Sequence, residues 1–210
     1  MKLIEARFVT SAVDADGIPK DGIPHVALVG RSNVGKSSLL NALAKRGVAR
    51  ISAAPGKTRL ANLYRLQVEG GPGGSGQPGG PGRWSVYLAD LPGYGYARAS
   101  HAERQAFRRL VTGALARPRL TGVLWLLDSR REPSTDDRAI QELLAGRETR
   151  VLAALTKSDK VPRGLRPTRE RELRDALALD ADQVIVTSAR AGEGIADLRE
   201  SIGRLASQAG

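Results

Sequence analysis

Short apolar runs recur along the chain at residues 26–29, 62–68, 84–90, 123–128, 151–156 and 183–187, and longer segments of helical period lie between them. Runs of this length, separated by turn residues and amphipathic stretches, predict six strands in a mostly parallel sheet wrapped by helices, an α/β fold. Phe107, Leu110, Val111, Ala114 and Leu115 fall at i, i+3, i+4, i+7 and i+8, which puts them on one face of a helix. Ser100 and Glu103 have the spacing of a capping box at its start. Ile195, Leu198, Ile202 and Leu205 repeat the helical pattern near the end of the chain.

One segment breaks the alternation. Eleven of the thirteen residues from 70 to 82 are Gly or Pro, and such a stretch cannot bury enough apolar surface to offset its ordering entropy. It reads as a flexible insertion joining the strands at 62–68 and 84–90 into a hairpin. A domain boundary here would leave only two strands before it. The expected organisation is therefore an N-terminal extension over residues 1–24 that packs on a single domain over 25–208. A chain of 210 residues with 41% apolar and 26% charged composition suits one core.

Composition then narrows the chemistry. With no cysteine, thiolate catalysis, disulfides and cysteine-based zinc sites are excluded, and only His25 and His101 supply imidazole, so most metal chemistry must rely on oxygen ligands. The net charge of +11 suits a chain that meets polyphosphate or nucleic acid. The longest wholly apolar runs are five residues, far short of a membrane helix, and the N-terminus lacks the pattern of a secretory signal. These features predict a cytoplasmic protein with no membrane partner. A monomer is the default expectation.

Directly after the run at 26–29 comes Gly30-Arg31-Ser32-Asn33-Val34-Gly35-Lys36-Ser37, a full match to the phosphate-binding loop in its strand-to-helix setting. Gly30 and Gly35 permit the tight turn that points successive amides inward, and the helix beginning near Lys36 adds its positive end. Lys36 would neutralise the outer phosphates, and the Ser37 hydroxyl would ligate magnesium. Asp90-Leu91-Pro92-Gly93 ends a later strand, where the carboxylate can hold magnesium through water and the Gly93 amide can meet the terminal phosphate. Thr156-Lys157-Ser158-Asp159 ends another. There Asp159 can accept hydrogen bonds from N1 and the 2-amine of guanine, which adenine cannot offer, and Lys157 can lay its stem along the base. Thr187-Ser188-Ala189 completes the base pocket if the Ala189 amide reaches the guanine carbonyl.

These motifs, with Thr58 in Pro55-Gly56-Lys57-Thr58-Arg59, occur in the order of a GTPase domain. The chain resembles the EngB (YihA/YsxC) family of bacterial ribosome-assembly GTPases, of the TRAFAC class. The resemblance rests on Phe8-Val9-Thr10-Ser11-Ala12, on the phosphate loop continued by Ser38-Leu39-Leu40-Asn41, on Pro55 to Thr58, and above all on Asp90-Leu91-Pro92-Gly93-Tyr94-Gly95-Tyr96-Ala97. It implies a Ras-like domain of six strands with one antiparallel edge strand. It also implies that Thr58, with Gly56, Lys57, Arg59 and Leu60 around it, is the first switch and joins Ser37 on magnesium when the terminal phosphate is present. Residues 94–98 would be the second switch, and the partner would be the large ribosomal subunit and its RNA. Lys36, Thr58 and Gly93 would carry catalysis.

The chain departs from the family in its Gly/Pro insertion and in the loose match of Thr187-Ser188-Ala189. Tyr94 stands where Ras-type enzymes use a glutamine to orient the attacking water, so hydrolysis should be slow without a partner. Asn33 resembles the asparagine that holds potassium in related cation-activated GTPases. Residues 31–59 contain seven basic residues and no acid, and residues 98–119 add six arginines against one Glu, a surplus that RNA phosphates can meet. Two other readings stay open on the sequence: an RNA-binding scaffold that holds GTP without useful turnover, and a GTPase of another pathway such as cell division.

Overall fold

The computed structural model describes residues 2–49, 60–70, 82–95 and 101–207, the side chains at 15, 101 and 103 excepted. Seven strands form one sheet in the order β1-β3-β4-β2-β5-β6-β7. They are β1 Lys2–Ala12, β2 His25–Gly30, β3 Ala61–Glu69, β4 Arg83–Asp90, β5 Leu120–Asp128, β6 Val151–Thr156 and β7 Val184–Val186. Five helices flank the sheet: α1 Lys36–Ala44, α2 His101–Leu115, α3 Thr135–Ala145, α4 Arg166–Ala176 and α5 Ile195–Ser207. Parallel pairing runs from β4 through β2, β5 and β6 to β7, while β3 alone runs against its neighbours, with β1 outside it.

The sheet thus has seven strands and not the six expected, because residues 2–12 pair with β3 along their length. Their hydrophobic pattern conceals this. Ala6 packs in the layer beneath α1 and α5, whereas Ala12 packs in the opposite layer. Six positions apart, they would share a face in an unbroken strand. Register shifts between Leu3 and Glu5 and between Phe8 and Thr10 change the parity, so no period-2 alternation appears in the sequence.

The central strand β2 is buried throughout and supplies both layers. Val26 and Leu28 face Leu39, Leu40 and Leu43 of α1 and Leu198 and Ile202 of α5. Ala27 and Val29 face the other way, toward Leu110 and Val111 of α2, Ile140 of α3, Leu173 of α4 and the fully buried Trp125. Buried Arg199 of α5 donates to the carbonyls of Ala42 and Leu43, tying α5 to the last turn of α1. Asn41 fastens the chain that leaves α1, accepting from the amides of Val48 and Ala49 and donating to the Ala49 carbonyl. β3 and β4 pair in register up to Glu69 and Arg83, and the Gly70 amide donates to Gly82 across the ends of the insertion. Among the described residues no helix is long and apolar enough to cross a membrane.

Candidate nucleotide-binding site

The carboxyl ends of the parallel strands converge on the loop between β2 and α1, the position where open α/β sheets bind ligands. Gly30 ends β2 in a space that admits no side chain: a Cβ there would lie 2.9 Å from Val34 Cγ1 and 3.0 Å from the Leu126 carbonyl oxygen. Gly35 caps α1 at φ 111°, which favours glycine, and Asn33 takes the left-handed region at φ 61°, a conformation Asn tolerates better than most residues. The Lys36 ammonium donates to the Gly30 carbonyl at 3.3 Å. Burial lowers the Lys36 pKa, and the charge of Asp90 opposes that shift.

Asp90 ends β4 beside this lysine and is 5% exposed. Burial pushes its pKa up to about 6, against the pull of Lys36, and its Oδ1 has no hydrogen-bond partner. A buried carboxylate oxygen without a donor, beside Lys36 at the start of the helix that also carries Ser37, suits a hydrated magnesium ion, which takes oxygen ligands and keeps several waters. No cluster of three or more His, Cys, Asp or Glu able to hold a metal occurs among the described residues. A protein cage is therefore not what this site offers. One hydroxyl and one carboxylate completed by phosphate oxygens is the donor set that fits.

The segment after Asp90 continues the β4–β2 ladder onto the phosphate loop. The Leu91 amide donates to Leu28 at 3.1 Å, the Tyr94 amide to Gly30 at 3.3 Å, and the Ser32 amide to the Tyr94 carbonyl at 2.9 Å. Gly93 lies flat against Ser32, where a Cβ would come within 2.8 Å of the Ser32 nitrogen. Tyr94 turns its side chain into the core. Its hydroxyl donates to Asp137 Oδ1 at 2.7 Å and accepts from the Trp125 indole at 2.9 Å, and its pKa is pushed far up, by burial first and by the Asp137 charge second. Asp137 also forms the capping box of α3 with Ser134 and lies 3.8 Å from the Arg31 guanidinium.

The loops after β6 and β7 meet beside the phosphate loop. Buried Thr156 donates to the carbonyls of Val34 and Leu127. Lys157, at φ 62°, donates to the Asn33 carbonyl at 2.6 Å and to Asp128 Oδ2 at 2.9 Å. Burial alone would raise the Asp128 pKa, but the hydrogen bonds from Arg130 and Lys157 hold it well below the usual carboxylate range. Asp159 accepts from the Ser188 hydroxyl at 2.7 Å, which lowers its pKa, and the Ser158 amide donates to the Thr187 carbonyl.

The structure therefore brings Gly30 to Ser37, Asp90 to Gly93, Thr156 to Asp159 and Thr187 to Ala189 to one end of the sheet. Leu60 is half-buried at the entry to β3. Gly56, Lys57, Thr58 and Arg59 lie outside the described residues, as do Ser100, Tyr96, Ala97 and Arg98. The sequence reading missed Asp128, Asp137, Trp125 and Glu193. A carboxylate closing a parallel strand was a signal for Asp128, whereas the other three act through partners distant in sequence.

A phosphate loop between a buried strand and a helix, a buried carboxylate on the adjacent strand and a second carboxylate in the loop after β6 are the arrangement of a P-loop GTP-binding domain. The family described as 50S ribosome-binding GTPase matches residues 25–157. The probable GTP-binding protein EngB of Pelotomaculum thermopropionicum is 42% identical over 207 residues, with 97% of this chain and 96% of the relative covered. That of Symbiobacterium thermophilum is 40% identical over 216 residues, with 93% of each covered. The chain belongs to the EngB family of GTP-binding proteins and is a GTPase of that type. Among solved structures, a probable GTP-binding protein EngB shares the fold at TM-score 0.60 and 16% identity, covering 86% of this chain and 97% of that one. Era in complex with MgGDPNP and a segment of 16S ribosomal RNA does so at TM-score 0.65 and 24% identity, covering 87% of this chain and 56% of that one.

Proposed function

We propose that this chain is a slow, nucleotide-gated GTPase that acts in assembly of the large ribosomal subunit. The observation that carries the gating is the hydrogen-bonded ladder joining Gly30 and Ser32 of the phosphate loop to Tyr94. Any change that the terminal phosphate imposes on the Gly93 amide is felt at once by the loop and, through the Tyr94 hydroxyl, by α3. In this reading the amides from Arg31 to Gly35 hold the phosphates, Lys36 neutralises them, and Gly93 and Thr58 meet the terminal one. Magnesium, held by Ser37 and Thr58 directly and by Asp90 through water, would supply charge neutralisation between the outer phosphates. Asp159 reads guanine, with Lys157 along the base and Ala189 at its carbonyl.

Slow turnover follows from Tyr94. Its hydroxyl is committed to Asp137 and Trp125, so it holds no group toward the phosphate loop that could orient water. Asn33, exposed on the loop in the left-handed region, is the candidate for a potassium effect. Equal GTP turnover in potassium and sodium buffers would remove that assignment. Ribosomal RNA of the large subunit is the partner that best meets the basic surplus, to which exposed Arg104, Arg108 and Arg109 of α2 contribute. The protein acts as a cytoplasmic monomer in this reading.

Co-sedimentation with separated ribosomal subunits at two salt concentrations tests it. Large-subunit binding that requires a non-hydrolysable GTP analogue and survives the higher salt is the expected result. Binding that ignores the nucleotide and vanishes with salt would reduce the surface to nonspecific charge.

A further inference from the structure

Glu193 lies in the turn after β7, outside every motif assigned above. The Ser158 hydroxyl donates to its Oε2 at 2.6 Å. Arg166, the first residue of α4, donates from one nitrogen to both carboxylate oxygens, at 3.0 and 3.1 Å, and its Nε is anchored on the Val161 carbonyl. The main chain of Glu193 is fixed as well: its carbonyl accepts from the Ser188 amide at 3.0 Å, and the two residues pair as an antiparallel bridge. Gly194 follows at φ 69°, where a Cβ would fall 2.1 Å from the Val186 carbonyl oxygen, so the turn is packed against the end of β7 and admits no side chain there. Ser188 in turn gives its hydroxyl to Asp159 and accepts from the Ala191 amide.

These contacts close a circuit. Asp159 is tied to Ser188, Ser188 to Glu193 through the main chain, and Glu193 back to Ser158, the neighbour of Asp159. Three donor contacts converge on the carboxylate, and an ionised carboxylate is the side chain that accepts them all. Resting on the assignment of Asp159 to guanine, we infer that Glu193 is a positioning residue for base selection. It holds the loop after β6 and the loop after β7 in the register that aims Asp159 at the base edge. Ser158 and Arg166 set the direction of its carboxylate.

The test is displacement of a fluorescent GDP by GDP and by inosine diphosphate, which lacks the 2-amine. Their affinity ratio reports the hydrogen bond that depends most on the aim of Asp159. Glu193→Ala should lower this ratio about fivefold, the scale of one weakened hydrogen bond. Glu193→Gln, which keeps an acceptor for Ser158 but loses the ion pair, should restore part of it. If the alanine variant does not fold, Glu193→Gln and Ser158→Ala supply the ratio, and both should lower it. An unchanged ratio, even with both affinities reduced equally, would overturn the inference and leave Glu193 a structural residue. Asp159→Asn is the independent control. Its preference should move from guanosine toward xanthosine diphosphate, and failure of that shift would overturn the base assignment itself.

Discussion

At the phosphate end, Gly30, Ser32 and Tyr94 are joined through main-chain groups, and Gly30 and Gly93 lie where a Cβ would collide with neighbouring atoms. At the proposed base end, Lys157, Ser158, Asp159 and Thr156 make side-chain hydrogen bonds with Asn33, Glu193, Ser188 and Val34, and of these four Lys157 and Asp159 are partly open to solvent. The two ends therefore respond differently to substitution. An added side chain at Gly30 or Gly93 meets neighbouring atoms at once, whereas removing one of the side-chain hydrogen bonds around Asp159 leaves the main-chain contacts of its loops in place.

The largest effect should come from Gly93→Ala. Its Cβ would lie 2.9 Å from Ser32 Cα, so either the loop or the segment after Asp90 must yield. Overpacking of this kind costs about 1–3 kcal/mol, which here should appear as roughly a tenfold or greater loss of GTP-analogue affinity relative to GDP. Calorimetric titration of both nucleotides checks this, and an unchanged ratio would break the contrast at its stronger end.

Tyr94→Phe keeps the ring and deletes the hydroxyl, leaving Asp137 and the Trp125 indole short of a partner inside the core. Stability should fall by about 1–3 kcal/mol. A urea midpoint equal to that of the parent would show that the network contributes nothing. Because Trp125 is one of only two tryptophans, its emission in a Trp84→Phe background should also shift when the hydroxyl is removed.

At the base end, Ser188→Ala removes one hydrogen bond from Asp159 and should weaken guanine nucleotides by about 0.5–1.5 kcal/mol with little change in melting temperature. A loss as large as that of Gly93→Ala would erase the distinction between the two ends.

The smallest effect lies at the other end of the central strand, where β2 begins. His25 is buried against Tyr87, with ring centroids 5.1 Å apart and both ring nitrogens unpartnered, and burial lowers its pKa below 6.5. Below pH 6.5 the unfolded chain takes up a proton that the folded chain refuses. Its contribution to stability is thus complete above that pH and is lost as the pH falls, by at most about 1.4 kcal/mol per pH unit. Urea midpoints at pH 7.5 and 5.5 should differ less in His25→Phe than in the parent, and nucleotide affinity should not change with this substitution.

The same contrast explains what could be read from the sequence. The phosphate loop was legible because its requirements are local: glycines at fixed spacing, a lysine and a serine, between a strand and a helix. Tyr94 was visible as a departure from glutamine, but its destination was not, since Asp137 lies 43 residues further on and Trp125 lies 31. Glu193 likewise gains its role from Ser158, 35 residues earlier. β1 was hidden by two register shifts that spoil its alternation. The six other strands announced themselves because burial on one or both faces demands an apolar run or a strict alternation.

Guanine selection by Asp159 is the property on which the proposed function depends most. The direct measurement is competition for the protein loaded with a fluorescent GDP in the presence of magnesium, using GTP, ATP and XTP as competitors. GTP should displace the probe at concentrations at least about a hundredfold below those needed for ATP or XTP, because adenine offers Asp159 no donor and xanthine keeps N1–H but sets a carbonyl oxygen against the second carboxylate oxygen. Displacement by ATP within a few-fold of GTP would contradict the assignment of both base loops.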